Sequence, residues 1–193
     1  MATVTALRSR RGAVAIELDG TVWRSVPPDV AARAGLAVGL ELDRPRLRIL
    51  RRELRRHEAL DAAGRALRTR DLSRRALAER VAGAVGGAAG AEALATLERV
   101  GLVDDGRVAR ARAATLAERG YGDAAIRHDL GRRGLEADAI EAAIGALAAE
   151  PVRAAAIIER RGTGPRTARF LASKGFTEDT AAAALGPGFA NSP

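Results

Sequence analysis

Apolar and polar residues alternate near the N-terminus, and this pattern predicts a β-hairpin. Residues 14–18 carry apolar side chains at every second position, which is typical of a strand with one buried face. Asp19-Gly20 supplies a two-residue turn in which glycine accepts a positive φ, and residues 21–26 form the returning strand. In this register Trp23 lies opposite Ile16, and we expect it to anchor the core.

Residues 4–7 predict a third strand, and from residue 45 onward the spacing of apolar residues changes to that of helices. Leu47, Leu50 and Leu54, for example, recur every third or fourth position, so they form a stripe on one helix face. Glycine and proline punctuate these helical segments, as expected for helix ends. The stretch 83–90 holds four glycines and is expected to be a loop or a frayed helix end.

One segment of the helical part occurs twice. Its copies begin with Arg119-Gly-Tyr-Gly and with Arg161-Gly-Thr-Gly. Further along, Arg133-Gly134 in the first copy corresponds to Lys174-Gly175 in the second. Self-similarity at a period of about forty residues indicates an array of small helical units, each stacked on its neighbour. The glycines at 120, 134, 162 and 175 stand where helices need a left-handed terminal residue.

These patterns predict a mainly α protein. We expect three tandem three-helix repeat units in an elongated array, preceded by a small N-terminal β-hairpin segment. The expected parts are a hairpin and short-helix extension at 1–44, a linking helix and first three-helix unit at 45–103, a second unit at 104–149, a third at 150–187, and a tail at 188–193.

The charge is unevenly distributed along the chain. The formal net charge is +8, and Lys174 is the single lysine among many arginines. Residues 1–57 hold twelve arginines and six acids, whereas the repeated segments are close to balanced. The densest cluster lies on one predicted helix and comprises Arg48, Arg51, Arg52, Arg55 and Arg56. Two interpretations stay open for this cluster: a solvated helix face, or an electrostatic contact to phosphate or to an acidic protein.

The residues that most catalytic and cofactor sites need are missing or badly spaced. The absence of cysteine excludes disulfides and thiolate metal sites. No Walker loop or nucleophile elbow occurs, and His57 and His128 have no ligand spacing. Asp104-Asp105 stands at a helix start, where acids act as caps. We therefore expect that the protein is not an enzyme and binds no cofactor. The lack of a signal peptide or a long apolar run predicts a cytoplasmic protein with no membrane contact.

Basic residues recur on the second helix of the last two units and are candidates for binding a partner. They are Arg127, Arg132 and Arg133 in one unit, and Arg166, Arg169 and Lys174 in the next. A solvated face explains such a pattern as well as a repeated contact along a periodic partner does.

The order of several short motifs resembles the RecX family of regulators of the RecA recombinase. The motifs are Gly101-Leu-Val-Asp-Asp105, Arg119-Gly-Tyr-Gly122, Leu130-x-x-Arg-Gly-Leu135 and Lys174-Gly-Phe176. The resemblance implies a monomer of three three-helix units that binds in the groove of the RecA filament on single-stranded DNA. It implies lowered strand exchange and co-protease activity in the SOS response, with weak DNA binding by the protein alone. The recurring basic residues, together with Arg119 and Tyr121, are then the expected contacts.

A stand-alone DNA-binding helical-repeat protein is the alternative. It would use the Arg48–Arg56 helix and the basic faces of the units, and it would bind DNA tightly without RecA and with a steep dependence on salt.

Overall fold

The structure is a computed structural model that describes residues 2–69 and 71–185. The strands are β1 (Ala2–Arg10), β2 (Ala13–Leu18), β3 (Thr21–Val26) and β4 (Glu41–Leu42). The helices are α1 (Pro28–Arg33), α2 (Arg44–Leu67), α3 (Arg74–Val85), α4 (Gly87–Arg99), α5 (Asp105–Glu118), α6 (Asp123–Arg132), α7 (Ala137–Gly145), α8 (Glu150–Arg161), α9 (Pro165–Ser173) and α10 (Glu178–Ala182), followed by a short 3₁₀ helix (Ala183–Leu185). The expected tail at 188–193 lies outside the described residues.

The N-terminal hairpin forms with the predicted turn. Leu18 pairs with Thr21, and Asp19 and Gly20 both have positive φ, 49° and 83°, which matches the right-handed twist of the strands. The sheet has the order β3-β2-β1-β4, with antiparallel pairs throughout. The predicted third strand is therefore present as β1, and β4 pairs with its first residues.

The expected position of Trp23 is wrong. The register between β2 and β3 shifts between Ile16 and Glu17, so Ile16 pairs with Arg24 instead. Trp23 is 41% exposed on β3, which is an edge strand of the sheet. An irregularity of this kind bends one strand and re-aims its side chains, which no alternation pattern reveals.

The core of the N-terminal unit lies where the sheet meets α1 and α2. Asp43 caps α2 by accepting a hydrogen bond from the Arg46 N–H at 2.8 Å, so the helix begins where the proline at its first turn suggests. The buried side chains include Val4, Ile16, Val26, Val30, Leu42 and Leu50.

The glycine-rich stretch 83–90 is not a loop. α3 continues to Val85, Gly86 alone separates the helices, and α4 begins at Gly87. Three alanines lie among the glycines of this stretch, and their helix propensity outweighs the cost of the glycines. Gly90 is buried, and a Cβ there would lie 3.3 Å from the side chain of Val81, so the small residue also brings the two helices together.

The C-terminal unit comprises Asp71–Leu77 and the chain from Val100 onward. Two apolar clusters form its core. One lies among α5, α6 and α7 around Ile126 and Leu130, and the other among α8, α9 and α10 around Ile157 and Leu171. The predicted helix-ending glycines at 120, 134, 162 and 175 all have φ between 73° and 78°.

The chain divides into two compact units, and the fold class is confirmed as mainly α with a small N-terminal β segment. The N-terminal unit holds the sheet, α1, α2, the part of α3 from Ala78 and α4. Among the described residues, no helix combines the length and apolar character needed to cross a membrane.

Candidate partner-binding surface

The end of α9 lies directly on the beginning of α6, and backbone groups make the contact. The Gly122 N–H donates to the Lys174 carbonyl at 2.9 Å, and the Ala124 N–H donates to the Gly175 carbonyl at 3.1 Å. A Cβ on Gly122 would overlap the Gly175 carbonyl and the Phe176 nitrogen, so this approach requires glycine. We call this contact, with its supporting residues, the α6/α9 junction.

A buried carboxylate ties three helices together at the α6/α9 junction. Glu150, the first residue of α8, accepts hydrogen bonds from the Asp123 N–H at 2.7 Å, the Thr177 N–H at 3.1 Å and the Thr177 hydroxyl at 2.8 Å. Burial raises the pKa of Glu150, but these hydrogen bonds, with a contribution from Thr180, outweigh that effect and lower the pKa overall. Glu150 therefore stays ionised and holds the starts of α6 and α10 against α8.

Two predicted contact residues, Tyr121 and Lys174, are packed into this junction. The Lys174 ammonium lies 4.2 Å from the centre of the Tyr121 ring, which is a cation–π contact. Arg153 donates to the Tyr121 carbonyl at 2.7 Å and to the Ala148 carbonyl at 2.9 Å, and it also pairs with Asp123. The Tyr121 and Lys174 side chains are half-buried, so they support the packing of the junction and also border its surface.

The same arrangement recurs between α6 and the first turn of α3. The Ser73 hydroxyl donates to the Arg133 carbonyl at 2.6 Å, and the Arg74 N–H donates to Asp105 at 2.7 Å. Asp105 is the first residue of α5, as Glu150 is the first residue of α8. We call this contact the α3/α6 junction. In both junctions the acid that begins one helix, Asp105 of α5 or Glu150 of α8, caps the start of an earlier helix, α3 or α6.

The role of Glu150 is not among the predictions from the sequence, and Asp105 is predicted there only as part of a helix start. A recognisable pattern existed, because a carboxylate begins the first helix in both units. The Asp104 part of the prediction is confirmed, since Asp104 caps α5 by accepting from the Arg107 N–H at 2.9 Å.

Two of the predicted arginines of α6 are engaged in ion pairs within the protein. Arg127 binds Glu141 through two hydrogen bonds of 2.6 and 2.9 Å. Arg133 donates to Asp129 at 2.8 Å, and Arg112 binds the same carboxylate with two bonds of 2.9 Å. The hydrogen bonds from Arg112 hold the pKa of Asp129 far below its usual range, against the effect of burial and with help from Arg133.

The remaining predicted arginines are exposed. Arg119, Arg132 and Arg166 contact no acidic side chain within residues 71–185. The Arg169 Nε donates to the Pro165 carbonyl of its own helix at 3.2 Å. When the units are aligned on Leu130 and Leu171, only Arg133 and Lys174 occupy the same position, so the basic faces recur in character more than residue by residue.

A cleft of about 300 Å³ brings the two copies of the Arg-Gly-x-Gly motif together. Arg119 from the first copy and Arg161 from the second both line it. The Arg161 guanidinium stacks on the Phe170 ring at 4.0 Å, and the Lys174 ammonium lies 5.8 Å from the centre of the same ring. The other lining residues are Glu118, Gly120, Ile157 and Arg160. We call this site the junction cleft.

The junction cleft contains chemistry that suits a negatively charged partner group. Its three arginines outnumber its one acid, Glu118, and the aromatic ring and Ile157 supply an apolar wall. Guanidinium groups bind carboxylates and phosphates through paired hydrogen bonds. Sequence analysis found Arg119 here but missed Arg161 and Phe170, although Arg161 begins the second copy of the repeat.

Comparisons with known proteins agree with this architecture. Residues 104–144 match the family model described as RecX, second three-helix domain. The crystal structure of a regulatory protein RecX is similar with a TM-score of 0.76 and 20% identity, over 93% of this chain and 97% of that chain. RecX from Lactobacillus salivarius is similar with a TM-score of 0.59 and 16% identity, over 68% of this chain and 94% of that chain. No curated protein sequence matches the chain.

The family match falls on α5, α6 and nearly all of α7, which are the helices that carry Asp105, Gly122 and Arg133 of the two junctions. The likeness in fold extends over almost the whole chain. The resemblance to the RecX family is thereby confirmed: residues 104–144 match the second three-helix domain of that family, and the chain has the fold of the solved RecX structures.

Proposed function

We propose that this chain regulates the RecA recombinase by binding the RecA filament on single-stranded DNA and lowering its activity. The observation that carries the proposal is the family match of residues 104–144, the segment that takes part in both junctions. Regulation rather than catalysis follows from the same resemblance. In addition, repeated units joined by equivalent contacts can touch a periodic partner at several places.

Repetition of weak contacts suits a filament. A helical filament presents the same surface at regular intervals, and each additional contact made by a linked unit gains from effective concentration. The two junctions fix the orientation of each second helix relative to the next, so the exposed basic residues are held on a rigid support. Rigid presentation lowers the entropy lost on binding.

The junction cleft is the proposed centre of the contact, because it combines exposed Arg119 with Arg161 on an aromatic ring. Arg132 and Arg166 are proposed as flanking contacts, since no acid within residues 71–185 neutralises them. Arg127 and Arg133 are less suitable for a direct test. Reversing their charge would place carboxylates beside Glu141 and Asp129 and would disturb the fold.

The test measures inhibition of RecA ATPase on single-stranded DNA as a function of the concentration of this protein. Arg119→Glu with Arg161→Glu is expected to weaken inhibition about tenfold or more, which corresponds to roughly 1.4 kcal/mol of binding. Arg132→Glu with Arg166→Glu is expected to have a smaller effect in the same direction. The matched control is Arg68→Glu with Arg110→Glu, which makes the same charge change at exposed arginines that have no acidic partner among the described residues.

Three results would count against the proposal. Wild-type protein that neither binds RecA filaments nor changes their ATPase would overturn it. Equal weakening by the control would assign the effect to net charge alone. Tight binding to DNA without RecA, with loss of ATPase inhibition when free DNA is added in excess, would favour the stand-alone DNA-binding alternative.

A further inference from the structure

The N-terminal unit carries a row of arginines along α2. Arg48, Arg51, Arg52 and Arg55 follow the spacing i, i+3, i+4 and i+7, so they share one helix face and extend over about 10 Å. All four side chains are exposed. Together with Ala88, Ala89 and Glu92 of α4, they line a cleft of about 390 Å³. We call this site the arginine cleft.

The two acids near the arginine cleft, Glu53 and Glu92, are shared between the outer row and an inner arginine. Arg56 lies between the two helices, with its Nη1 3.9 Å from Glu53 and its Nε 3.6 Å from Glu92. Glu53 also pairs with Arg52 at 3.0 Å. Glu53 thus neutralises Arg52 of the outer row, and Glu92 faces the inner Arg56.

Three arginines of the outer row therefore keep their charge uncompensated. Arg48, Arg51 and Arg55 contact no acidic side chain in the described part of the N-terminal unit. Like charges at these helix spacings repel each other and destabilise the helix. An anionic ligand that binds along the row would remove this repulsion.

We infer that the arginine cleft binds the phosphate backbone of single-stranded nucleic acid. Guanidinium groups bind phosphate oxygens in pairs, and a row of them can follow successive phosphates. The alanines of α4 form a shallow floor without side chains that read bases, which fits binding without sequence preference. A cleft bounded by two helices suits a single strand better than the convex surface of a duplex. The inference is compatible with the proposed function, because it concerns weak DNA binding in the absence of RecA, whereas only tight binding would favour the stand-alone alternative.

The test measures binding of the full chain to a fluorescent oligothymidylate by anisotropy over a range of salt concentrations. Replacing Arg48, Arg51 and Arg55 together by glutamine is expected to lower affinity about tenfold or more at low salt. The slope of log affinity against log salt is expected to become shallower by about 2, since each phosphate contact on a single strand contributes about 0.7. Because repulsion is relieved, the variant should be at least as stable to heat as the wild type.

A charge-matched control distinguishes binding at the arginine cleft from general electrostatic attraction between the protein and DNA. Replacing Arg10, Arg33 and Arg68 by glutamine removes the same charge from exposed positions outside the cleft. This control is expected to keep most of the affinity and the salt slope of the wild type. An equal loss in both triple variants, or no loss in the cleft variant, would overturn the inference.

Two further arms identify the ligand. Polyglutamate should compete poorly with the oligothymidylate, and equally good competition would assign the cleft to an acidic protein instead. A duplex should bind more weakly than the single strand. A duplex that binds more tightly and loses that binding in the cleft variant would overturn the assignment to single strands.

Discussion

The α3/α6 and α6/α9 junctions satisfy the same helix-end carbonyl with different hydrogen-bond donors. In each, the last carbonyl of a second helix needs a hydrogen-bond donor, as helix ends generally do. At the α6/α9 junction the Gly122 N–H supplies it, whereas at the α3/α6 junction the Ser73 hydroxyl supplies it. A backbone donor requires the helices to approach without intervening side chains, so the α6/α9 junction is the less tolerant of the two.

The difference extends to the acid of each junction. Glu150 is buried and accepts three hydrogen bonds from two segments, whereas Asp105 is half-buried and accepts a hydrogen bond from the Arg74 N–H. Because a buried group loses more when its partner is removed, the acid of the α6/α9 junction is expected to matter more. Substitutions at equivalent positions can measure how much of the stability of the unit depends on this difference.

Gly122→Ala is expected to have the largest effect. Its Cβ would overlap backbone atoms of Gly175 and Phe176, which cannot rotate away, so α9 must separate from α6. Overpacking of this kind costs about 3 kcal/mol or more. Urea unfolding of the full chain would measure the change. The control is Gly131→Ala on the same helix, where a Cβ meets nothing within 4 Å and stability should rise by up to about 1 kcal/mol. A loss in the control equal to that of Gly122→Ala would contradict the explanation.

Alanine at Gly175 should cost more than alanine at Gly134. Both residues have positive φ, 78° and 73°, which penalises alanine by about 1–2 kcal/mol. At Gly175 the new Cβ also lies 2.6 Å from the Ala125 Cβ and 2.7 Å from the Ala125 nitrogen. At Gly134 the neighbour is the flexible side chain of Arg75, which can move. We expect a total loss of about 2–3 kcal/mol for Gly175→Ala. Gly162→Ala, with φ 78° and no near neighbour, measures the backbone cost alone. Equal losses of stability for alanine at 134, 162 and 175 would show that packing against neighbours does not contribute.

Glu150→Gln is expected to destabilise the α6/α9 junction by about 2 kcal/mol. The amide presents donors where Asp123 and Thr177 also present donors, so buried groups lose partners. Because the pKa of Glu150 is lowered in the folded protein, its contribution is present above the unfolded value of about 4.3 and is lost as pH falls through the folded pKa. Thermal unfolding between neutral and acid pH should therefore show a shallower acid limb in the variant.

The comparison variants for Glu150→Gln are Asp105→Asn and Glu159→Gln. Asp105→Asn is expected to cost about 1 kcal/mol, since the hydrogen bond from the Arg74 N–H is weakened. Glu159 is exposed on α8 and should change stability little. Equal destabilisation by the Asp105 and Glu150 variants would mean that the two junctions are energetically alike.

Ser73→Ala is expected to have the smallest effect, about 1 kcal/mol. The substitution removes the donor to the Arg133 carbonyl and the acceptor for the Ala76 N–H, which is a helix-cap contact. Ser73→Thr keeps the hydroxyl and should retain most of the stability. Hydrogen exchange at the first turn of α3 would measure the effect locally, and unchanged exchange in Ser73→Ala would remove the hydroxyl from the explanation.

The helical part of the fold follows from local pattern, whereas the junctions depend on distant residues. Asp43, Ser73 and Asp104 act within a few residues of their own helices, so their capping could be predicted. The partners of Glu150 lie 27 residues away in both directions, and no local pattern specifies them. The same is true of Trp23, because a shift of strand register depends on the neighbouring strand.

The candidate contacts were predicted by charge type but not by environment. Arg127 and Arg132 look alike in the sequence, and both are exposed, yet Arg127 binds Glu141 on another helix and Arg132 contacts no acidic side chain within residues 71–185. Arg161 escaped notice because its ring partner Phe170 lies on the following helix. Tertiary packing therefore decides which arginines remain available to a partner. The sequence alone shows only which arginines are candidates.

Lys174 also allows the opening rate of the α6/α9 junction to be measured directly. Because it is the only lysine in the chain, a protease that cuts after lysine has one cleavage site, the bond between Lys174 and Gly175. In the folded protein the Lys174 carbonyl accepts from Gly122 and its ammonium lies on the Tyr121 ring, so the protease must wait until the helices separate. The rate at which the C-terminal fragment appears thus reports how often the junction opens, without any label.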